Sequence, residues 1–245
     1  NNQINVEGKK ILIRLDLNVP LNNKLILDDT RIKVVLPFIK ELLKKNSKLI
    51  LLSHLGRPKG IKEHSLSLVP VYKYLKKQLK NNLYFFTGKI DHETKDKIDY
   101  LKNGEIVLIE NIRFYKGEEE NDDLFAKTLA NLCDIYINDA FSCCHRKQAS
   151  VHKITKYSKN NFAGPLIQKE IKAIDMLIKD KKEPVTCLIG GSKVSTKINV
   201  ILNLIQNVNN IIILGAMANN FLVYKNQKVG KSLVENNVKE IIKKI

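Results

Sequence analysis

Arginine is rare in this chain, and its positions suggest a site for an anionic ligand. Lysine and arginine together number 42, yet the only arginines are Arg14, Arg31, Arg57, Arg113 and Arg146. A lysine serves wherever a simple positive charge is enough, whereas a planar guanidinium group can hold a carboxylate or phosphate through two parallel hydrogen bonds. We therefore expect the arginines to persist where such an anion is bound, the alternative being five unrelated packing roles.

Short apolar strands alternate with amphipathic helices along most of the chain. The residue patterns predict strands over 10–15, 48–52, 83–86, 105–109, 135–137 and 185–189. They predict helices over 31–39, 67–80, 92–101, 122–133 and 166–179. This order indicates an α/β fold, and continuous rather than alternating apolar strands indicate a mostly parallel sheet covered on both faces.

Polar residues follow several of these strands directly. They are Asp16, Asn18, His54, Arg57, Arg113 and Arg146. Ligands of parallel sheets bind beyond the carboxyl ends of the strands, so we expect these side chains to share one edge, which Arg31 can reach from the start of its helix. Arg14 lies inside its strand and is expected to be structural. Asp16 and Asn18 could instead simply form a turn before Pro20.

A second unit begins near Pro184 and contains a glycine-rich segment with two lysines. The predicted strand 185–189 is followed by the segment 190–197, with the sequence GGSKVSTK. Glycines permit close backbone approach, and the start of a helix favours phosphate. We expect Lys193 and Lys197 to lie on one face of that helix.

The net charge of +17 raises the possibility of nucleic-acid binding, but the lysines are spread along every segment. No arginine-rich stretch or zinc-finger spacing is present, so we expect no nucleic-acid partner. No run of 18 apolar residues occurs, so we expect no membrane span and a cytoplasmic protein.

The cysteines and one acidic run have ordinary interpretations. Cys133, Cys143, Cys144 and Cys187 include no CxxC pair, and we expect reduced thiols rather than a metal site at 143–145. The run Glu118-Glu119-Glu120 is expected to be a solvated loop or helix start.

Taken together, the motifs resemble those of the phosphoglycerate kinase family in order and spacing. They are RLDLNVP (14–20), DDTRI (28–32), SHLGRPKG (53–60), ENIRF (110–114), NDAF and HR (138–146), GGSKVSTK (190–197), MANNF (217–221) and VGKSL (229–233). The resemblance implies two Rossmann-like lobes with mostly parallel sheets joined by a helix. It places a phosphoglycerate-binding lobe at 1–164, the interdomain helix at 165–181 and part of a nucleotide-binding lobe at 182–245.

The activity implied by the resemblance is reversible phosphoryl transfer from 1,3-bisphosphoglycerate to ADP, giving 3-phosphoglycerate and ATP. Mg²⁺ would arrive bound with the nucleotide, and a monomer whose lobes meet on closure is expected. We expect the second lobe to be incomplete, as in a fragment or a truncated product. The alternative is a non-catalytic remnant that binds phosphoglycerate only.

The resemblance also implies roles for individual residues. Arg31 and Lys193 would be catalytic. The phosphoglycerate site would comprise Asp16, Leu17, Asn18, Arg31, His54, Leu55, Gly56, Arg57, Arg113 and Arg146. The nucleotide site would comprise Gly190, Gly191, Lys193, Lys197 and Gly215.

Two segments depart from the family pattern. Ser142-Cys143-Cys144 replaces the small residues Gly-Thr-Ala, which could crowd the backbone near Arg146. Leu214-Gly215-Ala216 replaces a glycine triplet, which could obstruct the approach of the nucleotide.

Overall fold

The computed structural model describes residues 5–80, 82–179 and 182–245, which form two compact units divided between Ile171 and Lys172. The predicted connector helix over 165–181 corresponds to a helix from Pro165 to Ile178. Residues 180 and 181 of that prediction lie outside the described residues.

The first unit is built on a six-stranded sheet. Its strands are β1 (Lys10–Arg14), β4 (Lys48–Leu52), β5 (Leu83–Phe86), β6 (Ile106–Ile109), β7 (Ile135–Asn138) and β8 (Asn161–Ala163), and a separate hairpin consists of β2 (Leu21–Asn22) and β3 (Leu25–Ile26). The order in the sheet is β5-β6-β4-β1-β7-β8, and every neighbouring pair is parallel. The predicted α/β fold with a mostly parallel sheet is confirmed.

Both faces of this sheet are buried, which explains the continuous apolar strands. Along β1, Ile11 and Ile13 belong to one hydrophobic cluster, whereas Leu12 between them belongs to a second cluster. Successive side chains of a strand point to opposite faces, so each face needs its own apolar cover. Burying both sets fixes the register of β1 against β4 and β7.

Helices provide that cover. In the first unit they are α1 (Thr30–Lys44), α2 (Val69–Leu79), α3 (His92–Asp99), α4 (Lys116–Glu119), α5 (Asp123–Ala130) and α6 (Ile154–Tyr157), followed by α7 (Pro165–Ile178). The apolar stripes of α1 and α2 pack on one face, and residues of α3 and α5 pack on the other. The side chain of Asp91 caps α3 by accepting a hydrogen bond from the Thr94 amide at 3.2 Å.

The described part of the second unit contains two parallel strands and, after α7, three further helices. The strands are β9 (Thr186–Gly190) and β10 (Asn210–Leu214), and the helices are α8 (Ile198–Ile205), α9 (Ala216–Tyr224) and α10 (Lys239–Ile242). Its core includes Ile189, Val194, Ile201 and Met217. Along β10, Ile212 and Leu214 are exposed, whereas Ile211 and Ile213 pack toward that core.

Several short elements were not predicted, among them β8, the hairpin β2–β3 and α4. The strand β8 contains only three residues, Asn161-Phe162-Ala163, and all of them are exposed, so no apolar run marks it. The hairpin β2–β3 and the single turn of α4 are likewise too short to show a periodic pattern.

Candidate functional site

The predicted anion-binding residues lie at one edge of the six-stranded sheet. Strands β6, β4, β1 and β7 are consecutive neighbours and parallel, so their carboxyl ends lie side by side. The segment that follows each of these strands carries one part of the predicted site. The sheet topology therefore brings together residues that are far apart in sequence.

The loop after β1 is held by hydrogen bonds to the loop after β4. The Leu17 amide donates to Ser53 Oγ at 2.9 Å, and the Gly56 amide donates to Asn18 Oδ1 at 2.9 Å. Asp16 Oδ1 accepts from the Asn18 amide at 3.1 Å, which forms a tight polar turn. The side chains of Leu17 and Leu55 are buried in the core, so neither offers more than backbone atoms to a ligand.

Asp16 is also the partner of Arg31, at the start of α1. The Arg31 guanidinium forms an ion pair with Asp16 Oδ2 while about half of the Arg31 side chain stays exposed. The Ser142 hydroxyl donates a hydrogen bond to the same oxygen. The substituted segment 142–144 forms an ordinary 3₁₀ turn, in which the Arg146 amide donates to the Cys143 carbonyl at 2.9 Å.

The loop after β4 exposes Arg57 and buries His54, which is only 4% exposed. Gly56 between them has a φ of +62°, a conformation that favours glycine, and an added Cβ would lie 2.7 Å from Leu66 Cδ2. Both backbone groups of Gly56 are engaged, because its carbonyl accepts from Arg113 Nη1 at 2.8 Å.

Arg113, which follows β6, is a buried and internally bonded arginine with 3% exposure. In addition to the Gly56 carbonyl, it donates to Gln148 Oε1 at 3.1 Å, and its Nε lies 3.5 Å from Glu119 Oε1. Burial lowers the pKa of Arg113, and the carboxylate of Glu119 opposes that shift. Arg113 therefore shapes the loop that carries Arg57, whereas Arg57 and Arg31 are the exposed guanidinium groups.

His54 is electrically neutral in this environment. Burial, followed by the charge of Arg14 and of the other nearby arginines, lowers the pKa of His54 to about 2. Arg14 Nη2 lies 3.2 Å from His54 Nδ1. Because arginine can only donate, Nδ1 must be the acceptor, and the single proton of the neutral ring lies on Nε2.

Arg14 itself is fully buried, as its position inside β1 suggested. Its Nε donates to Ser150 Oγ at 3.0 Å, and its Nη1 donates to the Leu15 carbonyl. Cys143 Sγ lies 4.0 Å from Arg14 Nη2 and also 4.0 Å from His54 Nδ1. Arg14 is thus structural, yet its contact with His54 makes it part of the support behind the anion-binding edge.

The expectation that Glu118 belongs to a solvated acidic run is wrong. Glu118 is 0% exposed, and its carboxylate accepts from both the amide and the hydroxyl of Ser150, each at 2.7 Å. Burial raises the pKa of Glu118, while the charge of Arg14 and the hydrogen bonds from Ser150 oppose that shift. Glu119 is partly exposed, and the exposed Glu120 forms an ion pair with Lys116.

In the second unit, the glycine-rich segment follows β9 as predicted but turns differently. Lys193 lies in the loop, Ser195–Lys197 form a 3₁₀ turn, and α8 begins only at Ile198. The expectation that Lys193 and Lys197 share one face of a helix is therefore wrong. The 3₁₀ turn at Ser195–Lys197 and the late start of α8 account for the difference, and the intervening Val194 packs into the core.

The other predicted nucleotide-binding residues surround the same loop. Gly190 ends β9, and Gly191 accepts a hydrogen bond from the Met217 amide at 2.9 Å. Gly215 has a φ of +67°, which permits β10 to turn directly into α9. Glu235, which no pattern singled out, accepts from the Ser195 amide at 3.2 Å and from its hydroxyl.

Two further observations concern metals and membranes. Among the described residues, no group of three or more His, Cys, Asp or Glu side chains is placed to hold a metal ion. The described cysteines are all free. Within residues 5–80, 82–179 and 182–245, no helix combines the length and apolar character needed to cross a bilayer.

Comparison with known proteins supports the resemblance seen in the motifs. The family model described as phosphoglycerate kinase matches residues 1–245. The phosphoglycerate kinase of Desulforapulum autotrophicum is 43% identical over 97% of this chain and 61% of its own length. That of Geobacter metallireducens is 46% identical over 96% of this chain and 60% of its own length. The chain thus spans about three fifths of the length of these curated relatives.

Solved structures give the same result. The phosphoglycerate kinase of Coxiella burnetii has a TM-score of 0.86 at 38% identity, covering 98% of this chain and 60% of that one. The enzyme of Pyrococcus horikoshii has a TM-score of 0.81 at 28% identity, with the same coverage of both chains. On the evidence of its motifs, its parallel sheet and these matches, the chain belongs to the phosphoglycerate kinase family.

Proposed function

We propose that the first unit binds 3-phosphoglycerate or 1,3-bisphosphoglycerate, as part of an enzyme that transfers a phosphoryl group reversibly between 1,3-bisphosphoglycerate and ADP. The observation that carries this proposal is the cluster of arginines around a neutral histidine at the carboxyl edge of four parallel strands. Family membership supports the same reaction. We accordingly propose the lobe boundaries given above, with residues 1–164 as the phosphoglycerate-binding lobe.

The residues at this edge suit the two ends of such a ligand. Phosphate and carboxylate groups favour guanidinium partners, and the exposed Arg57 directly follows Gly56, whose carbonyl accepts from the buried Arg113. Asp16 and Asn18 offer oxygen and amide groups suited to a hydroxyl. Together with Arg146, these residues would anchor the part of the substrate that is not transferred.

Arg31 is the residue that we assign to the transferred group. Phosphoryl transfer needs little covalent chemistry from the protein, and catalysis consists mainly of positioning and of neutralising charge on the equatorial oxygens. Arg31 is half exposed and is held by Asp16, so its guanidinium group is oriented without being buried. Lys193, an exposed lysine after β9, is the second cation proposed for this task.

The second unit is proposed to begin the nucleotide-binding lobe. Gly190, Gly191 and Gly215 leave the backbone accessible beside Lys193 and Lys197. We propose that Mg²⁺ enters bound with ADP or ATP. We further propose a cytoplasmic monomer with no nucleic-acid or membrane partner.

Thermal unfolding and isothermal titration with 3-phosphoglycerate test the binding proposal. We expect the ligand to raise the melting temperature, because it binds only the folded state. Glycerol 3-phosphate lacks the carboxylate, and inorganic phosphate lacks both the carboxylate and the hydroxyl. Each of these two compounds should therefore bind more weakly than 3-phosphoglycerate. Truncating Arg57 to alanine should weaken binding of 3-phosphoglycerate by about 10-fold or more, as expected for loss of a charged hydrogen bond.

Lys40→Ala is the matched control, since it removes the same charge from an exposed position of α1. Equal losses of affinity for Arg57→Ala and Lys40→Ala would contradict the assigned site. An absence of any thermal shift at millimolar 3-phosphoglycerate would contradict the binding proposal itself.

A coupled assay of ATP formation from 1,3-bisphosphoglycerate and MgADP separates the two functions considered. Turnover by the 245-residue chain would establish the kinase activity. Binding of 3-phosphoglycerate without turnover would instead favour a unit that only binds the substrate.

A further inference from the structure

A buried series of hydrogen bonds runs from Glu118 to His54 behind the anion-binding edge. Glu118 accepts from Ser150, Ser150 accepts from Arg14, and Arg14 donates to His54. The three bonds measure 2.7, 3.0 and 3.2 Å, respectively. Glu118, Ser150 and Arg14 are all 0% exposed, so water does not compete for these bonds.

The direction of each bond follows from the chemistry of the groups. Arg14 Nε can only donate, so Ser150 Oγ accepts from it and keeps its own hydrogen for Glu118 Oε1. The Ser150 amide donates to Glu118 Oε2 at 2.7 Å. Both oxygens of Glu118 therefore accept hydrogen bonds, which together with the charge of Arg14 opposes the effect of burial on the Glu118 pKa.

Glu118 supplies a negative charge close to a buried guanidinium group that has like-charged neighbours. Arg14 and Arg113 both act on His54 as positive charges, as do Arg31 and Arg146. An isolated buried charge is costly, and one held by a hydrogen-bonded counter-charge is far less so. Glu118, linked to Arg14 through the Ser150 hydroxyl, thus offsets the cost of burying Arg14 and holds it in place beside His54.

Arg14 in turn determines which nitrogen of His54 carries the proton. Its Nη2 donates to Nδ1, so the neutral ring carries its proton on Nε2. Within the part of the chain that the structure describes, Nε2 has no hydrogen-bond partner. A neutral imidazole in this tautomer can donate a hydrogen bond to an anion from Nε2, whereas the other tautomer would present a lone pair and repel it.

We propose that Glu118 and Ser150 are positioning residues that hold Arg14 against His54, so that His54 offers its Nε2–H to the anionic ligand. The identity of that ligand as a phosphoglycerate rests on the function proposed above. The arrangement of Glu118, Ser150, Arg14 and His54 is a property of the protein without ligand. The two proposals can therefore fail separately.

The first test is the tautomer of His54 in the ligand-free chain, read from ¹⁵N–¹H correlation spectra with a His54→Gln variant for assignment. We expect a neutral ring protonated on Nε2 at pH 7. A ring protonated on Nδ1 or on both nitrogens would overturn the proposal, whatever the chain binds. Failure to bind 3-phosphoglycerate would count against the proposed function and leave this measurement intact.

The second test replaces Ser150. Ser150→Ala removes the hydroxyl link while keeping the Glu118 charge, and Ser150→Thr keeps the hydroxyl. We expect Ser150→Ala to populate the second tautomer of His54 and to weaken 3-phosphoglycerate binding by about 10-fold. Ser150→Thr should restore both, and Ser158→Ala, at another buried serine of the unit, should change neither.

The outcomes distinguish a role of Ser150 in positioning Arg14 and His54 from a role in the stability of the fold alone. Lower affinity of Ser150→Ala with an unchanged His54 tautomer would overturn the proposal, as would unchanged affinity and tautomer. If Ser150→Ala does not fold, Arg14→Lys is the alternative variant, because one ammonium group cannot bridge Ser150 and His54 as the guanidinium does. An Nε2–H tautomer and unchanged affinity in folded Arg14→Lys would also overturn it.

Discussion

Gly164 lies directly against the carboxylate of Asp139, and the two residues together fix the start of α7. Asp139 Oδ1 accepts from the Leu166 amide at 2.7 Å and from the Ile167 amide at 3.3 Å. The Gly164 amide donates to the Asn138 carbonyl at 2.7 Å. A Cβ added to Gly164 would lie 2.4 Å from Asp139 Oδ1, so only glycine fits there.

Gly164→Ala is therefore expected to destabilise the first unit by about 1–3 kcal/mol, the usual cost of overpacking a buried position. Denaturant unfolding followed by circular dichroism measures this change. Gly190→Ala is the control, because its Cβ would meet no atom closer than 3.6 Å. Equal free energies of unfolding for Gly164→Ala and the parent would refute the contact.

Asp139 should also impart a pH dependence to stability. Burial raises the pKa of Asp139 to about 6, well above the usual value for an aspartate, about 3.9. The folded state then binds more protons than the unfolded state between about pH 4 and 6, so this contribution to stability is present at low pH and is lost as the pH rises through 6. The free energy of unfolding of the parent should fall by on the order of 1 kcal/mol between pH 5 and 8 because of Asp139, and Asp139→Asn should abolish this fall. Denaturant unfolding across that pH range measures the difference. A parent and variant with parallel profiles would contradict the raised pKa.

His54 should act in the opposite direction. The pKa of His54 in the folded state, about 2, lies below the usual value for a histidine, about 6.5, so the unfolded state takes up a proton first as the pH falls. Stability attributable to His54 is therefore complete above about pH 6.5 and is lost progressively below it. Between pH 8 and 5, the free energy of unfolding should therefore decrease by on the order of 1–2 kcal/mol less in His54→Gln than in the parent. Denaturant unfolding at a series of pH values measures this difference. A larger loss in the variant would show that His54 is not neutral in the folded state.

Arg113 and Arg57 should respond differently to replacement by lysine. Arg113→Lys loses the fork that joins the Gly56 carbonyl to Gln148, so both stability and affinity for 3-phosphoglycerate should decrease, the former by about 1–3 kcal/mol. Arg57→Lys should reduce affinity while leaving stability within about 0.5 kcal/mol, because Arg57 is exposed. Chemical denaturation and titration calorimetry on both variants provide the comparison. Similar stability losses in the two variants would contradict the distinction.

The sheet and the edge that carries the site were predictable because burial on two faces leaves a simple signal. Strands β1, β4 and β6 are nearly continuous apolar runs, and the polar residues that follow them mark their carboxyl ends. The scarcity of arginine in a lysine-rich chain then marks the loops that carry the predicted site. The apolar runs and the arginine positions are both local features of the sequence. In a parallel sheet the loops after the strands lie at the same edge, so these local features suffice to group the loops.

The support behind the edge was not predictable in the same way. Glu118 stands in a run of three glutamates, and nothing in that run distinguishes the buried member from its solvated neighbours. Its partners Ser150 and Arg14 come from distant segments, so its burial is a tertiary effect. Likewise, nothing in the segment GGSKVSTK distinguishes the 3₁₀ turn Ser195–Lys197 from the start of an α-helix.

The contacts of Arg14 also bear on the order in which the first unit folds. Its partner Ser150 is 136 residues away along the chain, Cys143 is 129 residues away and His54 is 40 residues away. Closing such long loops has an entropic cost that is recovered only when many other contacts form at the same time. A chain that ends directly before Ser150 would therefore contain all five arginines and still lack the Ser150 contact that holds Arg14.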